Sequence, residues 1–463
     1  MGSWGDIFPV VGLARGLGAA GHDVQITASG AYAELVRAEG LGFASVGPAL
    51  DFADYASDPK ILSGRLGGFA GFAHLFRRFI LPTLDRFVDD LAGAIAGADL
   101  VLAHPAQVAA PIAAEYVGIR WGTISVFPGL IPTAFAPPAP TRVSLVAGPA
   151  ARALHRAEWS IAQFNMARLF DAQVNRARRR LGLPVRSNCF LAPVTSGRPY
   201  LVMASPAVID RPADWPPNVT LTGFVAWDRP RSFPDPAGLH EFLSGGDPPV
   251  LVTLGASSSL DPRDFYSDAA AAVTRLGQRA LVLTGPTPRR IELPDERQIF
   301  SAPFAPLSLV APRCIAAIHH GGVGTTIELL KAGLPQIVVP RGFAQPQTAA
   351  RITRLGVGRT LAWRHATSRR LRSELDTLLR ADHYRQKRGH PPGTPRPRGR
   401  PRDNSAQDRA DPARLTATAF LPQRHSLAYT ANSQPVTQSK RSNSAALIGK
   451  RVCRRRPRSP GHP

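Results

Sequence analysis

His319-His320-Gly321-Gly322-Val323-Gly324-Thr325-Thr326-Ile327-Glu328 is the most informative segment of this 463-residue chain. It directly follows a short apolar segment, residues 314–318, and directly precedes a run with helical spacing. Gly321, Gly322 and Gly324 let the backbone approach a ligand closely. A helix beginning near Thr325 points unpaired N–H groups, and the positive end of its dipole, into the same space. His320 adds a donor or a positive charge, Thr325 a hydroxyl, and Glu328, one turn on, an acceptor for a sugar diol. The local reading is a pyrophosphate cradle with a ribose clamp. Taken alone, a Gly-Gly-x-Gly cluster needs to serve only a strand-to-helix turn.

The surroundings extend the pattern. Phe304-Ala305-Pro306-Leu307 places an aromatic face ahead of the strand, and Ala332-Gly333-Leu334-Pro335 ends the helix. Residues 336–339 read as a short buried strand closed by Pro340, followed by Phe343-Ala344-Gln345-Pro346 and, further on, Ala350-Arg351. This ordered run from Phe304 to Arg351 resembles the donor-binding signature of glycosyltransferases that use nucleotide-diphosphate sugars. The similarity is to the bacterial antibiotic, sterol and glycolipid members of the UDP-glycosyltransferase superfamily. It implies an α/β fold of two Rossmann-like doubly wound domains whose parallel sheets face across a cleft, the GT-B arrangement.

The rest of the chain reads in the same terms. Short apolar segments (residues 23–28, 99–103 and 122–126) alternate with helical ones (31–39, 109–116 and 151–181). Buried strands alternating with helices imply a parallel sheet covered on both faces. Residues 228–249 hold five prolines and little periodicity, as an interdomain linker does. A second domain then opens with a strand at 250–254, a turn at Gly255-Ala256-Ser257-Ser258, a helix at 265–276 and a strand at 279–284. The expected organisation is an acceptor domain (1–227), a linker (228–249), a nucleotide-sugar domain (250–384) and a tail (385–463). Both ends depart from the family pattern. The opening Met1-Gly2-Ser3-Trp4-Gly5-Asp6-Ile7-Phe8-Pro9 resembles the family's Gly-Ser-x-Gly-Asp loop, but an apolar central strand is expected ahead of it. After Tyr384, Pro, Arg, Ser and Gln replace the apolar pattern, where the family continues with bracing helices. Such a composition cannot bury enough surface to order itself, so a disordered tail is expected; a shifted reading frame gives the same bias.

Composition narrows the classes. The 463 residues carry a formal charge of +23, but residues 385–463 hold 18 Lys and Arg against 3 Asp, leaving the first 384 at about +8. The basicity belongs mostly to the tail, and no nucleic-acid partner is expected of the folded part. Three cysteines without pairing or metal-ligand spacing point to a reducing, cytoplasmic setting and exclude a disulfide framework. No apolar run reaches spanning length and no secretory leader opens the chain. Phe72, Phe76 and Phe79 with Arg77 and Arg78 have the spacing of core packing first, and of an acceptor wall or peripheral contact with a membrane's inner face second.

The chemistry follows from the resemblance. The implied activity is inverting, metal-independent transfer of a hexose or deoxyhexose from UDP or dTDP to a hydroxyl of a hydrophobic acceptor. The nucleotide sugar is a co-substrate, and no cofactor is expected. Asp6, on a glycine-rich loop at a helix start, is the implied acceptor-activating base; an N-cap is its plain alternative. His104, at the end of another strand, is a second candidate for the same crevice, or a simple loop histidine. On the donor side, Phe304 is implied near the base and Ser257, His320 and Thr325 at the phosphates. Glu328 belongs to the ribose and Gln345 to the sugar hydroxyls. Where the family pattern has Asp-Gln, this chain has Ala344-Gln345, which favours a deoxy sugar or weakened activity. A non-catalytic nucleotide-sugar binder, a defective gene product and a sugar-nucleotide 2-epimerase are the competing readings.

Overall fold

The computed structural model describes residues 4–48, 58, 68–139, 148–206, 208–255, 264–285, 293, 297–342, 344–381 and 384. All of these belong to one compact unit. Ser257 and the tail expected over 385–463 lie outside the described residues.

The N-terminal half runs α1 (Trp4–Ala19), β1 (Gln25–Ala28), α2 (Ala33–Ala38), β2 (Gly42–Ser45), α3 (Gly68–Leu75), α4 (Leu84–Ala94), β3 (Leu100–Ala103), α5 (Ala109–Val117), β4 (Arg120–Ser125), α6 (Pro149–Arg180), β5 (Tyr200–Val202) and β6 (Val219–Leu221). Every ladder is parallel, as crossover helices require. The strands form two pieces, β1-β2 and β3-β4-β5-β6. Among the described residues β1 pairs only with β2 and β3 only with β4, so each keeps one open edge.

Between the halves, the segment read as linker contains a helix, α7 (Leu239–Ser244). Two leucines four apart, Leu239 and Leu243, bury against Leu251 and Leu281, so this turn of chain packs on the C-terminal core. The prolines around it had masked that short period. The C-terminal half continues with β7 (Val250–Thr253), α8 (Phe265–Thr274), β8 (Ala280–Leu283), β9 (Ile299–Ala302), β10 (Ala316–His319), α9 (Val323–Lys331), β11 (Gln336–Val338), α10 (Gln345–Arg354), β12 (Gly358–Thr360) and α11 (Ser368–Arg380). Its six parallel strands lie in the order β12-β11-β10-β7-β8-β9. Counted within the half, that is the doubly wound 3-2-1-4-5-6 order, with helices on both faces. The strands read as unbroken apolar runs because both faces are covered: β7, β8 and β10 are buried along their whole length.

Phe72 and Phe76 settle into the N-terminal core. Phe76 lies tilted against Phe72 at 4.5 Å and meets Phe170 of α6 edge-on at 4.9 Å, and Phe170 stacks on Phe190 at 4.6 Å. Phe79 packs half-buried on the same cluster, while Arg77 and Arg78 face solvent. Core packing, the first of the readings the spacing allowed, is what these contacts show for the aromatic run.

The two halves are tied by polar contacts. Asp228 accepts from the Ser308 amide and hydroxyl, both at 2.7 Å. Gln347 of α10 donates to the Pro137 carbonyl at 3.1 Å, and the Arg351 guanidinium donates to the Val208 carbonyl. An aromatic cluster adds to this: Phe8 of α1 meets Trp227 at 5.3 Å and Phe304 at 6.2 Å.

Candidate active site

In an open doubly wound sheet, ligands bind beyond the carboxyl ends of the strands where the strand order reverses. Here that point lies between β7 and β10. The residue after β10 is His320, and two residues after β7 comes Gly255, in the left-handed region at φ +62°. A Cβ on Gly255 would stand 2.6 Å from His320 Cε1, and one on Gly322 would stand 2.5 Å from His320 Nε2. The imidazole thus lies between two glycines, only 4% exposed, at the switch point. These glycines are required by the histidine as much as by any ligand.

The turn after β10 has a defined internal bonding pattern. Gly321, at φ +88°, donates its N–H to His319 Nδ1 at 3.2 Å. Gly322 is the N-cap of α9, and the first helical bond runs from Thr326 N to Gly322 O at 2.9 Å. The amides of Val323, Gly324 and Thr325 therefore have no acceptor within the helix. These three amides are the donors the helix terminus leaves open, and Gly321 contributes conformation instead of a free N–H. Gly324 looks across to Phe224 of the N-terminal half: a Cβ there would stand 3.8 Å from its ring.

Burial decides between the two roles open to His320. It pushes the pKa down to about 3, helped by His319 and by the Arg341 guanidinium. His320 is thus a neutral hydrogen-bonding group at ordinary pH, not a cation. Its Nδ1 has no partner among the described residues. Positive charge near the cradle comes from Arg341 and the helix dipole.

Thr325 sits half-buried in the first turn of α9. Glu328 is 6% exposed, and Lys331 Nζ grips both its carboxylate oxygens, at 3.2 and 3.1 Å. Burial raises its pKa, and Lys331 works against that rise. Gln345 Oε1 accepts from the Arg341 and Gly342 amides at 2.8 and 3.2 Å, which ties the side chain to the loop after β11. Phe304 is half-buried and leans on Phe233 at 5.3 Å as well as on Phe8.

On the opposite side, α1 begins at Trp4, so Asp6 lies in the first helical turn and not on a loop ahead of it. A carboxylate there complements the dipole and still reaches the crevice. His104, just past the end of β3, is brought beside it: His104 Nε2 stands 4.0 Å from Asp6 Oδ1. His104 Nδ1 accepts from the Ala106 amide at 3.2 Å, which leaves the neutral ring's proton on Nε2, facing Asp6. Burial lowers the His104 pKa, and the Asp6 carboxylate opposes that shift.

Sequence reasoning missed His319, Arg341 and Lys331. The doubled histidine ahead of the glycines and the Glu-x-x-Lys spacing were visible signals for two of them. Arg341 carried none, since its proximity to His320 depends on how the loop after β11 folds back. Among the described residues no group of three or more His, Cys, Asp or Glu could hold a metal ion, and no helix is long and apolar enough to cross a membrane.

A doubly wound sheet with a strand–glycine–helix cradle at its switch point, in a chain whose other half pairs a carboxylate with a histidine, fits the GT-B glycosyltransferases as a class. Comparison with known proteins agrees. Residues 280–390 match the family of the C-terminal domain of erythromycin biosynthesis protein CIII-like proteins. An O-mycaminosyltylonolide 6-deoxyallosyltransferase of Streptomyces fradiae is 31% identical over 361 residues, 77% of this chain and 82% of the relative. A sterol 3-beta-glucosyltransferase of Arabidopsis thaliana is 27% identical over 77% of this chain and 56% of its own length. The solved structure of the glycosyltransferase VinC in complex with dTDP superposes with a TM-score of 0.53 at 19% identity, covering 83% of this chain and 93% of that one. The chain belongs to the antibiotic and sterol glycosyltransferases of the GT-B fold, and it is a glycosyltransferase.

Proposed function

We propose that this enzyme moves a sugar, hexose or deoxyhexose, from dTDP or UDP to a hydroxyl of a hydrophobic natural product or sterol-like acceptor, with inversion. The observations that carry the reading are the α9 amides left open beside His320 and Asp6 beside His104, in halves that meet through Phe8 and Phe304.

In this reading the diphosphate sits on the amides of Val323, Gly324 and Thr325, with His320 as a neutral donor and Glu328 toward the ribose. Asp6 takes the acceptor proton as the hydroxyl oxygen attacks the anomeric carbon from the face opposite the leaving group. The C1–O bond to the diphosphate breaks, and charge develops on an oxygen that the helix terminus already faces. His104 stays neutral and directs its Nε2–H at Asp6, steadying the carboxylate in an orientation where it accepts a proton. Ala344, where the family has a carboxylate, leaves fewer acceptors for sugar hydroxyls. That favours a deoxygenated sugar, in keeping with the deoxyallosyl transfer named for the Streptomyces relative and the dTDP bound by VinC.

The test is a matrix of dTDP- and UDP-sugars against apolar hydroxylated acceptors, read by nucleotide release and product mass, with NMR of the anomeric proton. Products of inverted configuration support the proposal. Donor binding without product under every pairing would favour the binder reading, for which Ala344 is the motivating residue.

A further inference from the structure

The bonds around His319 go beyond the role of a strand-terminal residue. Its ring is fully buried at the end of β10. Nε2 lies 2.9 Å from Gln336 Oε1, on the neighbouring strand β11, which is also fully buried. Because Nδ1 accepts from Gly321 N–H, the ring proton lies on Nε2, and Nε2 donates to Gln336. Buried polar side chains are rare unless both ends are satisfied, and here the second end is the first amide of the cradle turn. The turn is confined from the other side as well. A Cβ on Gly321 would stand 2.8 Å from Val338 Cγ1 and 3.2 Å from the Gln345 carbonyl oxygen.

We propose that His319 is a positioning residue of the donor site: the Gln336–His319–Gly321 chain fixes the left-handed turn that aims the amides of Val323, Gly324 and Thr325 at the diphosphate. The inference rests on the donor-site reading above. Its logic is preorganisation. With Gly321 N–H bound internally, the His320–Gly321 peptide is held against rotation, and the helix N-terminus meets its ligand with a smaller ordering cost at the moment of binding. His320 then touches the nucleotide, while His319 acts only through the backbone. Burial pushes the His319 pKa down to about 4, so the ring keeps its acceptor nitrogen at ordinary pH.

The test compares His319→Leu, which removes the acceptor, with His319→Asn, whose Oδ1 replaces Nδ1 at the same position along the side chain, and Gln336→Met, which frees Nε2. Titration calorimetry with dTDP and with UDP reads affinity, the thermal midpoint reads stability, and hydrogen exchange reads the amides of residues 319–325 in the ligand-free enzyme. We expect His319→Leu to weaken binding by about tenfold or more and to deprotect Gly321, with His319→Asn within about threefold of wild type and protected. Gln336→Met falls between them. Unchanged binding in a folded His319→Leu enzyme overturns the proposal. So does a loss in His319→Asn as deep as in His319→Leu that tracks the thermal midpoint, since that is a purely structural role. If His319→Leu does not fold, His319→Asn and Gln336→Met decide by the same readouts. Wild-type enzyme that binds neither nucleotide overturns the donor-site reading itself, a separate outcome.

Discussion

His104 and Asp6 face each other with Nε2 and Oδ1 at 4.0 Å, and the Ala106 amide holds the His104 proton on the Asp6 side. In that tautomer the nitrogen facing Asp6 is a donor, so the two groups cannot exchange roles. In the proposed reading Asp6 is the base and His104 its support. Asp6→Asn, which keeps size and hydrogen-bonding shape, should lower kcat by about a thousandfold while leaving the affinity for dTDP or UDP unchanged. His104→Ala should cost less, about ten- to a hundredfold, also in kcat. Equal losses, or weakened nucleotide binding in Asp6→Asn, would reassign the pair.

Gly322 tests the close approach of backbone and imidazole. A methyl group at 322 meets His320 Nε2 at 2.5 Å, and the ring has little freedom to retreat with Gly255 behind it. Gly322→Ala should weaken nucleotide binding by about tenfold or more and lower the thermal midpoint, because overpacking costs about 1–3 kcal/mol. Gly18, in α1, has open space around it, and Gly18→Ala serves as the control with no loss. A Gly322→Ala enzyme indistinguishable from wild type would remove the steric argument.

Both histidines of the doubled pair set a pH dependence. Their folded pKa values are pushed down, to about 4 for His319 and about 3 for His320, from the ordinary 6.5. Between those limits the unfolded chain binds more protons than the folded one, so stability rises with pH. Stability should therefore be complete above about pH 6.5 and fall steadily as the solution is acidified toward pH 4. Thermal midpoints across that window should show a shallower slope in a His320→Gln enzyme than in wild type. Identical slopes would mean that His320 is not held neutral by the fold.

Much of this was legible in the chain. The cradle stood out because three glycines, a buried strand and a helix start coincide over ten residues, and β7, β8 and β10 announced themselves as apolar runs. The Asp6–His104 pairing could only be listed as two candidates, since 98 residues of chain separate them and only the meeting of α1 with the end of β3 joins them. The state of His320 was open because residue type permits both donor and cation; burial between two glycines closes the question. The inward turn of the Gly321 amide was invisible, being a property of φ and of one hydrogen bond. The helix at Leu239–Ser244 was hidden by its length, since six residues among prolines hold too little period to be read.

The central claim is that the α9 terminus and His320 form a nucleoside-diphosphate site. Calorimetric titration of the enzyme and its His320→Ala variant with dTDP and UDP tests it most directly. Wild type should show one saturable site, with a dissociation constant of roughly 1 µM to 1 mM, weakened about tenfold or more in a folded His320→Ala enzyme. Absence of saturable binding in wild type, or equal affinity in the variant, would contradict it.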